Sequence, residues 1–275
     1  MIIIRYPAVA GLFYPEDPDE LKKSIEKFFK KIPESPSLGK IYSLIVPHAG
    51  YIYSGQTAAY AYKLLKDNPV ETIIIISPSH REYFQGISIY NGDFYRTPLG
   101  DVPINKELRN IIIKNNKRII VSERGHREEH AIEVQLPFLQ TVLSKFLIVP
   151  IIIGDQRPEY CNDLINILST SLRNENVILI ASTDLSHYHP ADAADQLDQI
   201  IIKDIGEFNH TKLMADIQNE KAEACGGGPA VVVLATSKIL GADSVKVLHH
   251  CNSGDITGDR SAVVGYLSAV TYRKN

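Results

Sequence analysis

The sequence has little of three residue types that often identify a specialised class of protein. Among its 275 residues there are three cysteines, two methionines and no tryptophan. The cysteines, Cys161, Cys225 and Cys251, are odd in number, widely spaced and outside any CxxC pair, which argues against a disulfide framework. We therefore expect a reduced, cytoplasmic setting.

Long apolar runs are missing as well. The longest, at residues 72–77 and 146–154, fall well short of the roughly 18 residues that a membrane-spanning helix needs. The apolar N-terminus is interrupted by Arg5 and Pro7 and has no basic region before it, so it does not resemble a signal peptide. These features predict a protein without a membrane partner.

There is also no excess of positive charge. Lysine and arginine total 29 against 32 acidic residues, which gives a net charge of −3. Bulk nucleic-acid binding needs a basic face, so we expect no nucleic-acid partner. The chain is 44% hydrophobic and 22% charged, which is ordinary for a globular protein and excludes a wholly disordered one.

Short β-branched runs alternate with segments of helical periodicity along the chain. The runs predict strands at residues 41–46, 72–76, 119–121, 146–153, 177–181, 245–248 and 262–270. The periodic segments predict helices at residues 21–31, 56–66, 106–114, 132–144, 159–172, 191–208, 213–219 and 229–240. The alternation predicts an α/β fold, a single domain over residues 1–275 with a mostly parallel central sheet and helices on both faces.

One stretch, residues 86–103, departs from this alternation of strand and helix. It has the two-residue periodicity of strands and contains Asn91-Gly92, which is a hairpin signal. We expect it to form antiparallel strands that extend one edge of the sheet.

Polar residues cluster where the predicted strands end. His48, His80 and the pair Asp184 and His187 each come shortly after one of the buried strands. A single histidine in such a place is usually a loop residue or a hydrogen-bonded core residue. Ligands of open α/β sheets bind at the carboxyl ends of the strands, so the coincidence of three such ends predicts a functional site there.

Cys225 precedes a glycine run and Pro229, which is typical of the first turn of a helix. A helix N-terminus favours a thiolate and lowers its pKa, which would make this cysteine reactive. A lone cysteine is more often a small buried residue. The residues alone favour the second interpretation.

Residues 126–130 match H-x-x-E-H, the inverted zinc-metalloprotease motif, and suggest a zinc hydrolase using His126 and His130. Gly125 places His126 before the predicted helix, and so short a motif often arises by chance. His130 and Glu133 are three residues apart, so they share a helix face and could contact a substrate. The alternative for this pair is an exposed, ion-paired helix start.

A tyrosine-rich segment follows His48. Tyr51 could line a pocket for an aromatic ring. Packing in the core or at an interface is the interpretation we favour.

A series of short motifs, in order along almost the whole chain, carries a family resemblance. The motifs are R-x-P-A-V-A-G-L-F-Y-P (5–15), V-P-H-A-G-Y-x-Y-S-G (46–55), S-P-S-H (77–80), Y-R-T-P-L-G (95–100), E-H-A-I-E-V-Q-L-P-F (129–138), S-x-D-L-S-H-Y (182–188) and C-G-x-x-P (225–229). On these motifs the sequence resembles the Memo family.

The resemblance implies a fold like that of the class III, LigB-type extradiol dioxygenases. Those enzymes hold non-haem Fe(II) with two histidines and a carboxylate, and a further histidine acts as acid and base. The matching metal positions in this sequence are His48, His80 and Cys225. The matching acid/base position is His187, with Asp184 near it.

A cysteine in place of the carboxylate softens the implied site, which suits iron or copper, with zinc as a further candidate. The leading hypothesis is a metal-dependent, dioxygenase-like oxidoreductase acting on an unknown small molecule or peptide, because fold alone does not fix the reaction. The alternative is a non-catalytic peptide- or protein-binding module on a degenerate dioxygenase scaffold. Either hypothesis allows a homo-oligomer.

Overall fold

Strands from the whole length of the chain meet in two sheets in the computed structural model, which describes residues 2–34, 38–66, 68–114 and 118–275. The strands are β1 (Ile4–Arg5), β2 (Lys40–Val46), β3 (Thr72–Pro78), β4 (Ile87–Ile89), β5 (Phe94–Thr97), β6 (Gly100–Pro103), β7 (Ile119–Val121), β8 (Leu147–Ile153), β9 (Val177–Ser182), β10 (His187–His189), β11 (Ser244–Asn252) and β12 (Val263–Arg273).

The larger sheet has the order β10-β12-β2-β9-β3-β8-β4-β7, with β11 also paired to β12. Its four central strands, β2, β9, β3 and β8, are parallel. Antiparallel pairs flank them on both sides, at β12–β2 and at β8–β4. The predicted α/β fold is therefore confirmed as a mixed sheet with a parallel centre.

The predicted antiparallel stretch divides between the two sheets. Strand β4 pairs antiparallel with β8, as expected for an edge extension. The hairpin, however, is formed by β5 and β6 and turns between Thr97 and Gly100, so the prediction from Asn91-Gly92 was wrong in position. Strand β5 pairs with β1 instead of β4, and Tyr95 on β5 and its cross-strand neighbour Val102 on β6 are buried in the core that also contains α1 and α2.

Helices cover both faces of the larger sheet. They are α1 (Pro18–Lys30), α2 (Tyr51–Tyr62), α3 (Lys106–Ile113), α4 (Leu136–Val142), α5 (Pro158–Ser171), α6 (Ala191–Gly206), α7 (His210–Gln218), α8 (Gly227–Leu240) and α9 (Ser253–Thr257), with 3₁₀ turns at Lys63–Leu65 and Glu133–Gln135. Helices α1, α2 and α4 pack in one core and α5 to α8 in the other. None of the helices in the described ranges is both long and apolar enough to span a membrane.

Strand β3 shows why the central strands are continuous apolar runs. Ile74 and Ile76 lie in one core, whereas Ile73 and Ile75 lie in the other. A strand that is covered on both faces has no solvent-facing positions and loses the usual alternation. Each fully buried isoleucine contributes about 1.5–3 kcal/mol relative to an exposed one.

The segment before α4 differs most from the helix predicted there. Residues 129 and 130 have no regular structure, a 3₁₀ turn spans Glu133–Gln135, and the α-helix starts only at Leu136. Pro137 lies in the first turn of α4, where its missing N–H costs nothing. His130 and Glu133 therefore do not share a helix face, and the spacing argument for them was wrong.

Candidate metal centre

The carboxyl ends of three central strands deliver side chains to one edge of the sheet. Residues 47–50 follow β2, residues 79–82 follow β3 and residues 183–186 follow β9. Because these strands are parallel, the three segments lie side by side.

Ligand atoms from His48, His80 and Cys225 converge at this edge. One ligand atom from each lies within 4.8 Å of the other two. Cys225 Sγ is 3.1 Å from His48 Nε2, and the rings of His48 and His80 have centroids 4.9 Å apart. Cys225 arrives from the loop before α8, so the group joins the sheet edge to a distant helix start.

Gly226 allows the start of α8 to dock against the end of β9. A Cβ at Gly226 would lie 2.3 Å from the carbonyl oxygen of Ser182. The Gly226 N–H donates to Thr183 Oγ1 at 2.9 Å, and the Cys225 N–H donates to the Asp184 carbonyl at 3.2 Å. This close backbone approach requires glycine, and a side chain there would move Cys225 away from the histidines.

The ring of His48 is held in one tautomer by Ser182. The Ser182 hydroxyl donates to the Ala131 carbonyl at 2.7 Å. The Tyr62 hydroxyl donates to Gln135 Oε1, which orients the Gln135 amide so that its Nε2 donates to Ser182 Oγ at 2.8 Å. Because the Ser182 hydroxyl has only one proton and donates it to Ala131, its oxygen must accept the hydrogen bond from His48 Nδ1, at 2.9 Å. His48 Nε2 is left unprotonated, as a metal ligand must be.

Glu129 fixes the tautomer of His80 in the same way. His80 Nδ1 donates to Glu129 Oε1 at 2.9 Å, and the backbone N–H of His80 donates to Oε2 at 2.6 Å. Burial opposes ionisation of Glu129, but the hydrogen bonds from His80 and the electrostatic effects of His80 and His130 together outweigh it and lower the pKa to about 2. A carboxylate on the far nitrogen of a histidine is a common support of a metal ligand.

The buried histidines of this cluster are neutral at pH 7. Burial, followed by the nearby His80, lowers the pKa of His48 to about 3. Burial, followed by His48, lowers the pKa of His130 to about 4. Neutral imidazoles keep the lone pairs that a metal needs, so protons compete weakly with a cation here.

The thiol of Cys225 is not activated by the helix that follows it. Loss of solvation, followed by the charge of Asp184, raises the pKa of Cys225. The interpretation of Cys225 as a reactive thiol with a lowered pKa, which the residues alone did not favour, therefore does not hold, because desolvation dominates. A coordinated cation would reverse this, since it deprotonates a thiol ligand outright.

This donor set fits a transition metal. Cys225 Sγ and His48 Nε2 are already at a separation that ligands of one ion adopt, with metal–nitrogen bonds of about 2.0 Å and metal–sulfur bonds of about 2.3 Å. Two imidazoles and a thiolate suit copper, zinc and iron better than magnesium or calcium.

Asp184 and His187 lie beside the ligands. Asp184 Oδ1 accepts the backbone N–H of His48 at 2.7 Å, and burial raises the pKa of the carboxyl despite that donor. His187 Nδ1 donates to the Leu185 carbonyl at 2.7 Å, which leaves Nε2 as a proton acceptor. His187 and Cys225 both line an open cavity of about 530 Å³.

Two of the three candidate substrate contacts have structural partners instead, and for Tyr51 this agrees with the packing that its sequence position favoured. Glu133 is fully buried and accepts hydrogen bonds from Arg5, Tyr14 and the backbone N–H groups of residues 8 and 9. Tyr51 is buried, donates to the Val134 carbonyl at 2.7 Å and packs on Phe138. His130, the third, does lie in the cluster, with its ring 5.3 Å from that of His48.

Both ring nitrogens of His126 have hydrogen-bond partners outside the cluster, which weighs against the zinc-hydrolase hypothesis. Its ring is fully buried, with Nδ1 2.7 Å from Tyr95 Oη and Nε2 3.3 Å from the Ser88 carbonyl. Within the described ranges it belongs to neither group of converging ligand atoms.

Sequence reasoning missed or left unassigned three side chains that hold the histidines of this cluster in place, directly or through a neighbour: Glu129, Ser182 and Gln135. Glu129 and Ser182 adjoin predicted site residues, and that adjacency was a usable signal. Gln135 gave none, because its role depends on a hydrogen bond from Tyr62 that no local pattern reveals.

Comparisons with known proteins agree on one family. The chain matches the family described as Memo-like protein over residues 5–270. It is 41% identical over 283 residues to a MEMO1 family protein of Methanocaldococcus jannaschii, covering 97% of this chain and 98% of that protein. A MEMO1 family protein of Thermoplasma volcanium is 38% identical over 273 residues, covering 99% and 100%. One from Aquifex aeolicus is 39% identical over 268 residues, covering 97% and 98%.

A solved structure also matches. It is the crystal structure of an uncharacterized protein from Escherichia coli K12, with a TM-score of 0.49 and 13% identity. The match covers 84% of this chain and 99% of that chain.

Proposed function

This chain belongs to the Memo-like protein family, and on that premise we propose that it binds iron or copper, with zinc as a further candidate, through His48, His80 and Cys225. The observation that carries the proposal is the convergence of the three ligand atoms within 4.8 Å. The support of both imidazoles from behind, by Ser182 and Glu129, strengthens it.

The proposed activity is metal-dependent oxidoreduction of a small molecule that enters the cavity beside Cys225. A redox-active metal in this site would supply Lewis acidity and electron transfer to that molecule. Three protein ligands would leave coordination positions for substrate.

His187 would move protons in this reaction. Its Nδ1 is occupied by the Leu185 carbonyl, so Nε2 is the atom that accepts a proton from the substrate. Asp184 accepts a hydrogen bond from the backbone N–H of His48. Its carboxyl group also contributes to the electrostatic potential of the cavity. The imidazolium that forms at His187 would be stabilised by the Asp184 carboxylate.

Metal content measured by elemental analysis tests the ligand assignment. Protein purified with and without oxygen should contain iron or copper and should show a thiolate-to-metal charge-transfer band. His48→Ala and Cys225→Ala should lower the metal content, and Cys225→Ala should abolish the band. Cys251→Ala is the matched control and should leave the band unchanged, because that thiol lies on β11 and contacts Thr57 of helix α2, outside the proposed ligand set.

The opposite result would favour the binding-module hypothesis. If wild-type protein takes up no metal even after reconstitution, the cluster is not a metal site and the cavity must serve a peptide or another ligand. If metal and band both survive in Cys225→Ala, the assignment of the thiolate is wrong.

A further inference from the structure

The loop that carries Glu129 and His130 forms a second group of converging ligand atoms. One ligand atom each from His80, Glu129 and His130 lies within 4.8 Å of the others. Glu129 Oε1 is 2.9 Å from His80 Nδ1 and 3.3 Å from His130 Nδ1. Separations of this size are the ones that ligands of a single ion adopt, given metal–ligand bonds of about 2.0–2.2 Å.

His130 gives an independent indication that this group can bind a ligand. Its Nδ1 is buried and has no hydrogen-bond partner among the described residues, although Glu129 Oε1 is only 3.3 Å away. Buried polar atoms nearly always have a partner, and a binding site for an ion is one of the few explanations for an exception. The ring is held firmly, since it packs on Phe13 at 4.8 Å and on His80 at 4.9 Å.

The two groups of ligand atoms share His80 but use opposite sides of its ring. Nδ1 faces Glu129, so Nε2 is the nitrogen left for the group with His48 and Cys225. One imidazole can serve two ions at once when both of its nitrogens are deprotonated. Uptake of a cation at Nδ1 would therefore replace the proton that His80 now donates to Glu129 and would release it to solvent.

We propose that His80, Glu129 and His130 form a second position for a divalent transition metal, bridged to the first through the imidazole of His80. This inference rests on the proposed function for the first position only. The second set contains two imidazoles and a carboxylate without a thiolate, so it accepts a harder ion than the first, such as Co²⁺, Zn²⁺ or Fe²⁺.

The experiment is a titration of metal-free, reduced protein with Co²⁺ under argon. Uptake is measured by elemental analysis after desalting, proton release is measured in weak buffer, and the near-ultraviolet thiolate-to-cobalt band is recorded. The wild-type protein should take up a second equivalent that adds no further thiolate band and releases additional protons. Cobalt is useful here because the band reports Cys225 alone.

Variants separate the two positions. His130→Phe should abolish the second equivalent while the thiolate band remains, whereas Glu129→Gln should abolish the second equivalent and also weaken the first position, because Glu129 orients His80. Cys225→Ala should abolish the band and keep an equivalent bound by the other set. Glu128→Gln, an exposed neighbour, is the control and should bind as the wild type does.

Each failure has its own signature. Saturation of the wild-type protein at a single equivalent that carries the full thiolate band would overturn the second position and leave the proposed function intact. A single equivalent without the band, lost in His130→Phe but not in Cys225→Ala, would overturn the first position and leave the second. If no cobalt binds, both are wrong.

Discussion

Glu133→Gln should destabilise the protein strongly although the substitution changes only one atom of the side chain. Glu133 is fully buried, and its two carboxylate oxygens accept from Arg5 Nη1, Tyr14 Oη, Ala8 N at 2.7 Å and Val9 N at 3.1 Å. Every partner is a donor. In the glutamine variant only the amide oxygen can accept hydrogen bonds, because an NH₂ group cannot accept, so the two donors that face the NH₂ group lose their acceptor.

Two terms set the size of the effect. Removing one member of a buried ion pair costs about 3–5 kcal/mol, because the other charge is left uncompensated. Arg5 is such a charge: its side chain is only 3% exposed, although its other nitrogens still donate to the carbonyls of His126 and Glu129. A backbone donor that loses its acceptor adds about 1–3 kcal/mol. Because Arg5 keeps those two acceptors, we expect a total loss at the lower end of the summed ranges, about 4 kcal/mol.

Urea unfolding followed by circular dichroism measures this loss, and a thermal scan should show a midpoint lower by about 10 °C for a chain of this size. Glu128→Gln is the control, since Glu128 is exposed and its substitution should change stability by less than about 0.5 kcal/mol. If the two variants unfold alike, the buried pair does not hold the N-terminal segment. The reasoning from its burial would then be refuted.

Two further predictions concern the histidines. Ser182→Ala removes the acceptor of His48 Nδ1 and should weaken metal binding about 10–100-fold, which competition with a coloured chelator measures. The metal-free protein should lose stability as the pH falls from 6.5 towards 4, because His48, His126 and His130 stay neutral in the folded state (pKa about 3, 3 and 4) but are protonated when unfolded. The loss should approach about 1 kcal/mol per pH unit for each histidine in urea unfolding at several pH values, and a flat profile would contradict the low pKa values.

The sequence predicted the sheet well where burial leaves a simple pattern. The fully apolar strands β3 and β8 were found nearly to the residue, since both of their faces are covered. Strand β1 was missed, because two residues are too few to carry a pattern. The hairpin predicted at Asn91-Gly92 does not form there. Its local turn preference is overridden by the pairing of β5 with β1, a contact between segments about 90 residues apart.

Part of the candidate site was also accessible from sequence. The rule that parallel strands end at one edge was enough to group His48, His80 and Asp184, and it needs no side-chain detail. It gives no information on residues that reach the edge from outside the sheet. Glu129 and His130 belong to this second kind, since they lie in an irregular loop that Arg5 and Glu133 fix to the N-terminal segment.

Cys225 shows where a physical signal was present but incompletely used. The sequence left two interpretations of this cysteine, an acidic thiol at a helix start and a small buried residue, and favoured the second; Gly226 follows it directly. Its actual role is to let the backbone of α8 approach the Ser182 carbonyl so closely that no Cβ fits, which brings the sulfur to 3.1 Å from His48. The same approach removes water from the thiol, and this is why its pKa rises. Proximity to the histidines and desolvation thus have one structural cause, and the thiol becomes a strong ligand only when a cation replaces its proton.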